Sequence, residues 1–150
     1  MRALLPALLL LGGCAFEEPE VGPPLAGNCE SEDSDPDVNV RFSLDIRPLM
    51  NRPRGEAGCS CHQPSAGSST PSGIDQSGLD LGSVEKLRRG GRNTGADLVV
   101  PGDPCASVLM HKIAGAPPFG SRMPLDGPPY LAPEEIQLIS DWIAEGAVDN

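Results

Sequence analysis

Glycine and proline punctuate this chain too densely for any long helix to run through it. Eighteen glycines and 17 prolines fall among 150 residues, and both residue types break or weaken helix interiors. A long coiled coil and a helical bundle are thereby excluded. Large side chains are scarce, with three Phe, one Trp and one Tyr. A chain of one-domain size therefore has a small core, one that needs support from a cofactor or disulfides.

Charge divides the chain. Residues 15–40 hold eight acids and no base, whereas residues 41–150 hold 10 bases and 13 acids. The formal net charge of −10 and pI near 4.5 argue against nucleic-acid binding, which needs a basic face to neutralise phosphates. The acidic stretch is also rich in Pro and Gly. It reads as a disordered linker, extended by its own repulsion, with Cys29 the one feature a linker does not need.

The first 13 residues read as an export signal. Arg2 is the charged start, and Ala3 to Leu11 form an apolar run too short to span a bilayer. Leu11-Gly12-Gly13-Cys14 resembles a bacterial lipobox, in which the cysteine is acylated. The organisation expected is a lipoprotein signal at 1–13, an acylated Cys14 with its acidic linker at 14–40, and one domain at 41–150. Cys14 would attach the chain to membrane lipid. Ala15 after the cysteine favours the outer membrane of the cell envelope, by resemblance to the enteric sorting pattern.

The domain reads as all-α with long Gly/Pro-rich loops. Phe42, Ile46, Leu49 and Met50 recur at helical spacing behind Ser43, a candidate N-cap, with Pro48 shortening the helix. Ser83 to Arg89 form a short helix stopped by Gly90-Gly91, and Asp103-Pro104 opens another that Gly115 stops. The clearest helix is the last: Pro133, Glu134 and Glu135 start it, Ile136, Ile139, Trp142 and Ile143 form its apolar stripe, and Gly146 ends it. Leu98-Val99-Val100 is too short to argue for a strand.

Chemistry concentrates at Cys59-Ser60-Cys61-His62. Cysteines of an exported chain usually have a covalent or metal fate. Covalent haem attachment uses Cys-x-x-Cys-His, with the histidine ligating iron. Here Gly58 stands where the first cysteine would be, and only Cys61 and His62 keep the right relation. On a helix Cys59 lies about 200° around from Cys61, so the pair is not expected to reach both vinyl groups.

The flanks carry more. Phe42-Ser43-Leu44-Asp45-Ile46-Arg47-Pro48-Leu49 precedes the cluster, and Gly78-Leu79-Asp80-Leu81 and Pro101-Gly102-Asp103-Pro104 follow it. Then come Arg122-Met123-Pro124 and the ending with Glu135-Ile136, Trp142-Ile143 and Gly146-Ala147. In this order the set resembles the planctomycete-type c-type cytochrome domains over nearly all of residues 41–150. The resemblance implies a cytochrome c-like fold with haem c attached at Cys61, His62 as proximal ligand and Met123 as distal ligand, whose thioether favours reduced iron. His111 reads either as a substitute ligand or, as its place on the helix after Pro104 favours, as an exposed helix residue, and Met50 and Met110 are expected in the core.

Two other readings compete for the cysteines. One is a disulfide between Cys59 and Cys105, worth about 4 kcal/mol on the chain-entropy model, either beside haem on Cys61 or with Cys29–Cys61 as a second bridge. The other is a zinc site of Cys59, Cys61, His62 and Cys105. Arg88, Arg89 and Arg92 form a small basic patch, read either as a solvated helix end or as a dock for an acidic redox protein. Nothing argues for hydrolysis, and no enzyme activity is expected. The functional expectation is an envelope lipoprotein that passes single electrons. Its rival is a haem-free cytochrome-like module, held by disulfides, with a structural or interaction role.

Overall fold

The last helix organises the domain. In the computed structural model, which describes residues 29–64 and 70–150, α5 spans Pro133–Ala144. Proline supplies the fixed φ of the first turn, and the Glu135 carboxylate accepts from the Ala132 amide at 2.9 Å, satisfying one otherwise orphaned donor. Ile139, Trp142 and Ile143 are buried. The Trp142 ring lies 5.4 Å from that of Phe42, and its indole N–H donates to the Val148 carbonyl at 2.9 Å. The one tryptophan of the chain is thus both packed and hydrogen-bonded, as burial of that group requires. Gly146, at φ 99°, reverses the chain so that the Ala147 amide donates back to the Trp142 carbonyl.

The remaining helices are short. A π-helical turn at Phe42–Ile46 leads directly into α1, Arg47–Met50. The Asp45 carboxylate, rather than Ser43, closes the start of that segment by accepting from the Arg41 amide at 2.8 Å. Ser43 instead donates to the Asn150 carbonyl. Pro48 sits within the first positions of α1, where its missing N–H costs nothing. Next come α2, Ser72–Ser77, and α3, Val84–Arg89, the latter capped by the Ser83 hydroxyl accepting from the Lys86 amide. The fourth helix, α4, runs Val108–Ala114 and ends at Gly115. Asp103-Pro104 does not open it. Those residues form a preceding turn, in which Asp103 accepts from the Ala106 amide, and the helix starts one turn later behind Ser107. Single 3₁₀ turns occupy Ser60–His62 and Gly95–Leu98. Among the described residues there is no strand, and the domain is a small all-α one.

The core is aliphatic around one aromatic pair. Ile46, Leu87, Val99, Ile113, Ile139 and Ile143 are essentially removed from solvent with Trp142. Met50 and Met110 are buried there too, as expected from sequence.

Residues 29–40 depart from the sequence reading of a linker running through residue 40. Cys29 is bonded to Cys105. The Ser31 hydroxyl donates to Asp103 at 2.6 Å, and the Ser34 hydroxyl and amide both donate to the buried Asp141 carboxylate, at 2.7 and 3.0 Å. The Val40 amide donates to Glu145, and Val40 itself is buried. One disulfide, a set of polar contacts and the single buried Val40 fasten this stretch, so little in its apolar composition signals order. The export signal, Cys14 and linker residues 15–28 lie outside the described residues. No helix among those described is long and apolar enough to cross a membrane.

Candidate functional site

A cleft of about 350 Å³ opens between three loops, within the range of small-molecule and cofactor sites. One wall comes from residues 58–62, a second from α2 and the turn after it, and a third from the segment Phe119–Asp126. Its floor is aliphatic, with Leu81, Leu98, Leu109 and Ile113 reaching it from the core. Cys59, Cys61, His62 and Met123 all line it.

Each wall is fixed by backbone bonds. The Cys59 amide donates to the Met50 carbonyl at 3.0 Å, which hangs the cysteine loop from the end of α1. The His62 carbonyl accepts from the Leu81 amide at 2.9 Å. The Met123 amide donates to the Lys112 carbonyl at 2.9 Å, fixing the methionine segment to α4. Asp126 ties the third wall to the loop that leads into the cysteines, accepting from the Gly55 amide at 2.9 Å. At the mouth, the Lys112 ammonium lies 4.3 Å from the Phe119 ring centre and donates to the Phe119 carbonyl. Phe119 and Leu125 are exposed apolar residues on the rim.

His62 is held in one orientation. Its Nδ1 lies 3.3 Å from the Leu79 carbonyl oxygen, to which it donates, with the Ser77 hydroxyl 3.4 Å away. That tautomer leaves the lone pair on Nε2, as in histidines that ligate metals. Burial pushes the imidazole below its usual range, against a smaller opposite pull from the Leu79 carbonyl, so the ring is neutral at pH 7. Helix α2 crowds it from the other side: a Cβ on Gly73 would fall 2.6 Å from the Cys61 carbonyl oxygen and 2.9 Å from His62 Cε1. Only glycine lets the helix pass this close.

Cys59 and Cys61 are free thiols on the same cleft. The sequence expectation that they point apart assumed a helix. Cys59 instead has φ −108° and ψ 25°, outside helical geometry, and the 3₁₀ turn begins only at Ser60. Burial, followed by the neighbouring Cys61 and Asp126 charges, pushes the Cys59 thiol up to about 11, so it stays protonated at neutral pH.

The expected Cys59–Cys105 bridge is overturned. Cys105 pairs with Cys29 because residues 29–34 dock beside Asp103 and Asp141 and bring the two Cα atoms to 5.7 Å. The same bond removes the Cys29–Cys61 alternative and takes Cys105 out of the Cys59, Cys61, His62, Cys105 zinc set. Among the described residues no cluster of three or more His, Cys, Asp or Glu gathers around a metal-sized space.

His111 is not among the residues lining the cleft; its Nε2 lies 2.8 Å from the Cys105 carbonyl oxygen. The basic patch is engaged in fastening helix ends. Arg88 donates to the Gly146 and Ala147 carbonyls, and Arg92 to the Asp75 and Gln76 carbonyls, while Arg89 pairs with Glu85.

Cys61, His62 and Met123, singled out from the sequence, line one cleft, whereas α2, which supplies the wall behind His62, was not anticipated. Gly78, at φ 71°, stops that helix as Gly115 stops α4, so the signal was present in the residue that follows Ser77. Nor was the Leu79 carbonyl anticipated, because backbone acceptors leave no trace in residue type. Family models, curated proteins and solved structures yield no match to this chain.

Proposed function

We propose that this chain is an envelope lipoprotein whose domain is cytochrome c-like, binds haem in the cleft and passes single electrons. One observation carries the reading: Cys61 and His62 line one wall and Met123 another wall of a single apolar cleft, with His62 Nδ1 already donating to Leu79. The donor set suits the group. The neutral imidazole of His62 and the thioether of Met123 would hold the iron of an electron-transfer haem, the thiol of Cys61 would tether it, and the aliphatic floor would lower the local dielectric. When bound, haem supplies a one-electron iron couple.

The chain's own residues set the rest. Leu79 fixes the His62 tautomer and raises its basicity as a ligand. Met123, held to α4 through Lys112, would favour the reduced state as a thioether ligand. Leu81, Leu98, Leu109 and Ile113 keep water from the floor. His62 and Met123 would both be taken up in holding the group, which favours carriage over turnover. Residues Cys14 and 15–28 serve as lipid anchor and spacer at the outer membrane, and a redox protein is the partner class. The Cys29–Cys105 bridge favours a second reading, a haem-free module with a structural or interaction role, because it stabilises the domain without any cofactor.

Expression of residues 15–150 in a periplasm with haem-attachment machinery separates the two. A Soret band with a mass gain of one haem is expected, and Met123→Ala should abolish the low-spin methionine signature. A colourless protein overturns the haem reading. For the anchor, palmitate labelling of the full chain should be lost in Cys14→Ala.

A further inference from the structure

We infer that Cys59 and Cys61 act together as a Cys-x-Cys-His attachment site, holding one haem through two thioethers, so that Cys59 is a covalent modification site. This rests on the haem reading above. Three observations converge on it. First, the position at which a Cys-x-x-Cys-His motif would carry its leading cysteine has no room for a side chain. A Cβ on Gly58 would lie 1.9 Å from the Arg52 carbonyl oxygen and 2.4 Å from its carbon. Both are backbone atoms, which cannot swing aside, and Arg52 is itself paired with Glu135 at the start of α5.

Second, the residue after Gly58 does what position 58 cannot. The Met50 carbonyl holds the Cys59 amide, and the non-helical backbone at Cys59 puts it on the same cleft as Cys61, His62 and Met123. The usual spacing places two cysteines on one face of a helical turn. Here a kinked entry followed by a 3₁₀ turn serves two cysteines that are one residue closer. Third, both thiols are unbridged, since Cys105 is bonded to Cys29.

The chemistry balances without a further reactant. Each thiol adds across one vinyl double bond of haem. Sulfur bonds to the carbon next to the ring, and the hydrogen it carried goes to the terminal carbon. The S–H bond and the π bond are lost, and no electrons enter or leave the pair of reactants.

The test uses the full chain exported into a periplasm with haem-attachment machinery. After denaturation and acid extraction, the haem is expected to remain on the peptide containing Cys59 and Cys61, with no alkylatable thiol on either. In alkaline pyridine the α band should fall where both vinyls are saturated. Cys59→Ser should keep the haem and shift that band to longer wavelength, and Cys59→Ala should do the same. Adding Gly58→Cys to Cys59→Ser should not shift it back. A wild-type band at the one-vinyl-saturated position, with an alkylatable Cys59, overturns the inference and leaves haem binding intact. Absence of haem from the wild type overturns the haem reading beneath it, a different result.

Discussion

The α5 side of the domain and the cleft side are built from the same kinds of loop and short helix, yet they are fastened differently. Around α5 the side chains of Trp142, Ile139 and Ile143 are buried against Phe42 and Ile46, and the Cys29–Cys105 bond closes the outer edge. Around the cleft, Leu81, Leu98, Leu109 and Ile113 form an aliphatic floor continuous with the same core, and hydrogen bonds join the loops above it. Single bonds such as Cys59 to Met50, Met123 to Lys112 and Gly55 to Asp126 set the positions of the loops. Among the described aromatic residues, Phe42 and Trp142 pack together on the α5 side, whereas Phe119 stands at the mouth of the cleft. The cleft side adds hydrogen bonds between its loops to that floor and leaves a space lined by Cys59, Cys61, His62 and Met123.

Truncation on the packed side tests this most severely. Trp142→Ala should cost about 3–5 kcal/mol, the usual penalty for a buried aromatic, read from the urea midpoint at unchanged slope. A loss under about 1 kcal/mol would remove α5 as the organising element. Cys29→Ser should cost about 4 kcal/mol, since the bond spans 76 residues of sequence. The same experiment in reductant should make wild type and variant coincide.

The seam between the two sides is the Arg52–Glu135 pair, which joins the cysteine loop to the first turn of α5. The Arg52 hydrogen bond holds the Glu135 carboxyl below its usual value of 4.5, outweighing burial, which acts the other way. The folded state thus binds this proton less readily than the unfolded one. Its contribution is complete above pH 4.5 and is lost as pH falls through the lowered value. Glu135→Gln should therefore cost about 1 kcal/mol near neutrality, and its acid-unfolding curve should converge with wild type at low pH. Parallel curves would show that the pair does not titrate with folding. Smallest of all, Leu125→Ser on the exposed rim should change stability by less than about 0.5 kcal/mol; a larger loss in the same urea assay would mean that the rim is packed after all.

The sequence was most readable where period and punctuation agree. Pro133, the Ile136–Ile143 stripe and Gly146 defined α5 to within a residue or two, and Ser83 with Gly90 did the same for α3. It was least readable where one polar contact decides the backbone. Asp103-Pro104 looks like a helix start, but the Ser107 hydroxyl, buried between the Val100 amide and the Asp103 carbonyl, delays the helix by a turn. Residues 29–40 look like solvent-bound chain because Ser31, Ser34 and the acids around them carry no apolar signal. At the site, His62 and Met123 were identifiable by type, while the placement of Cys59 depended on a non-helical φ and ψ that no pattern of residues announces.

The Cys29–Cys105 bond also decides where a pull on the leading segment enters the domain. Tension arriving from residue 28 reaches Cys29 and crosses directly to Cys105, just before α4. The hydrogen bonds of Ser31, Ser34 and Val40 lie on a slack branch and bear none of it. Once the bond is reduced, the same pull would act on those contacts one after another, peeling the strap from Asp103 toward Glu145. The covalent link turns a row of weak fastenings into a single strong point of attachment.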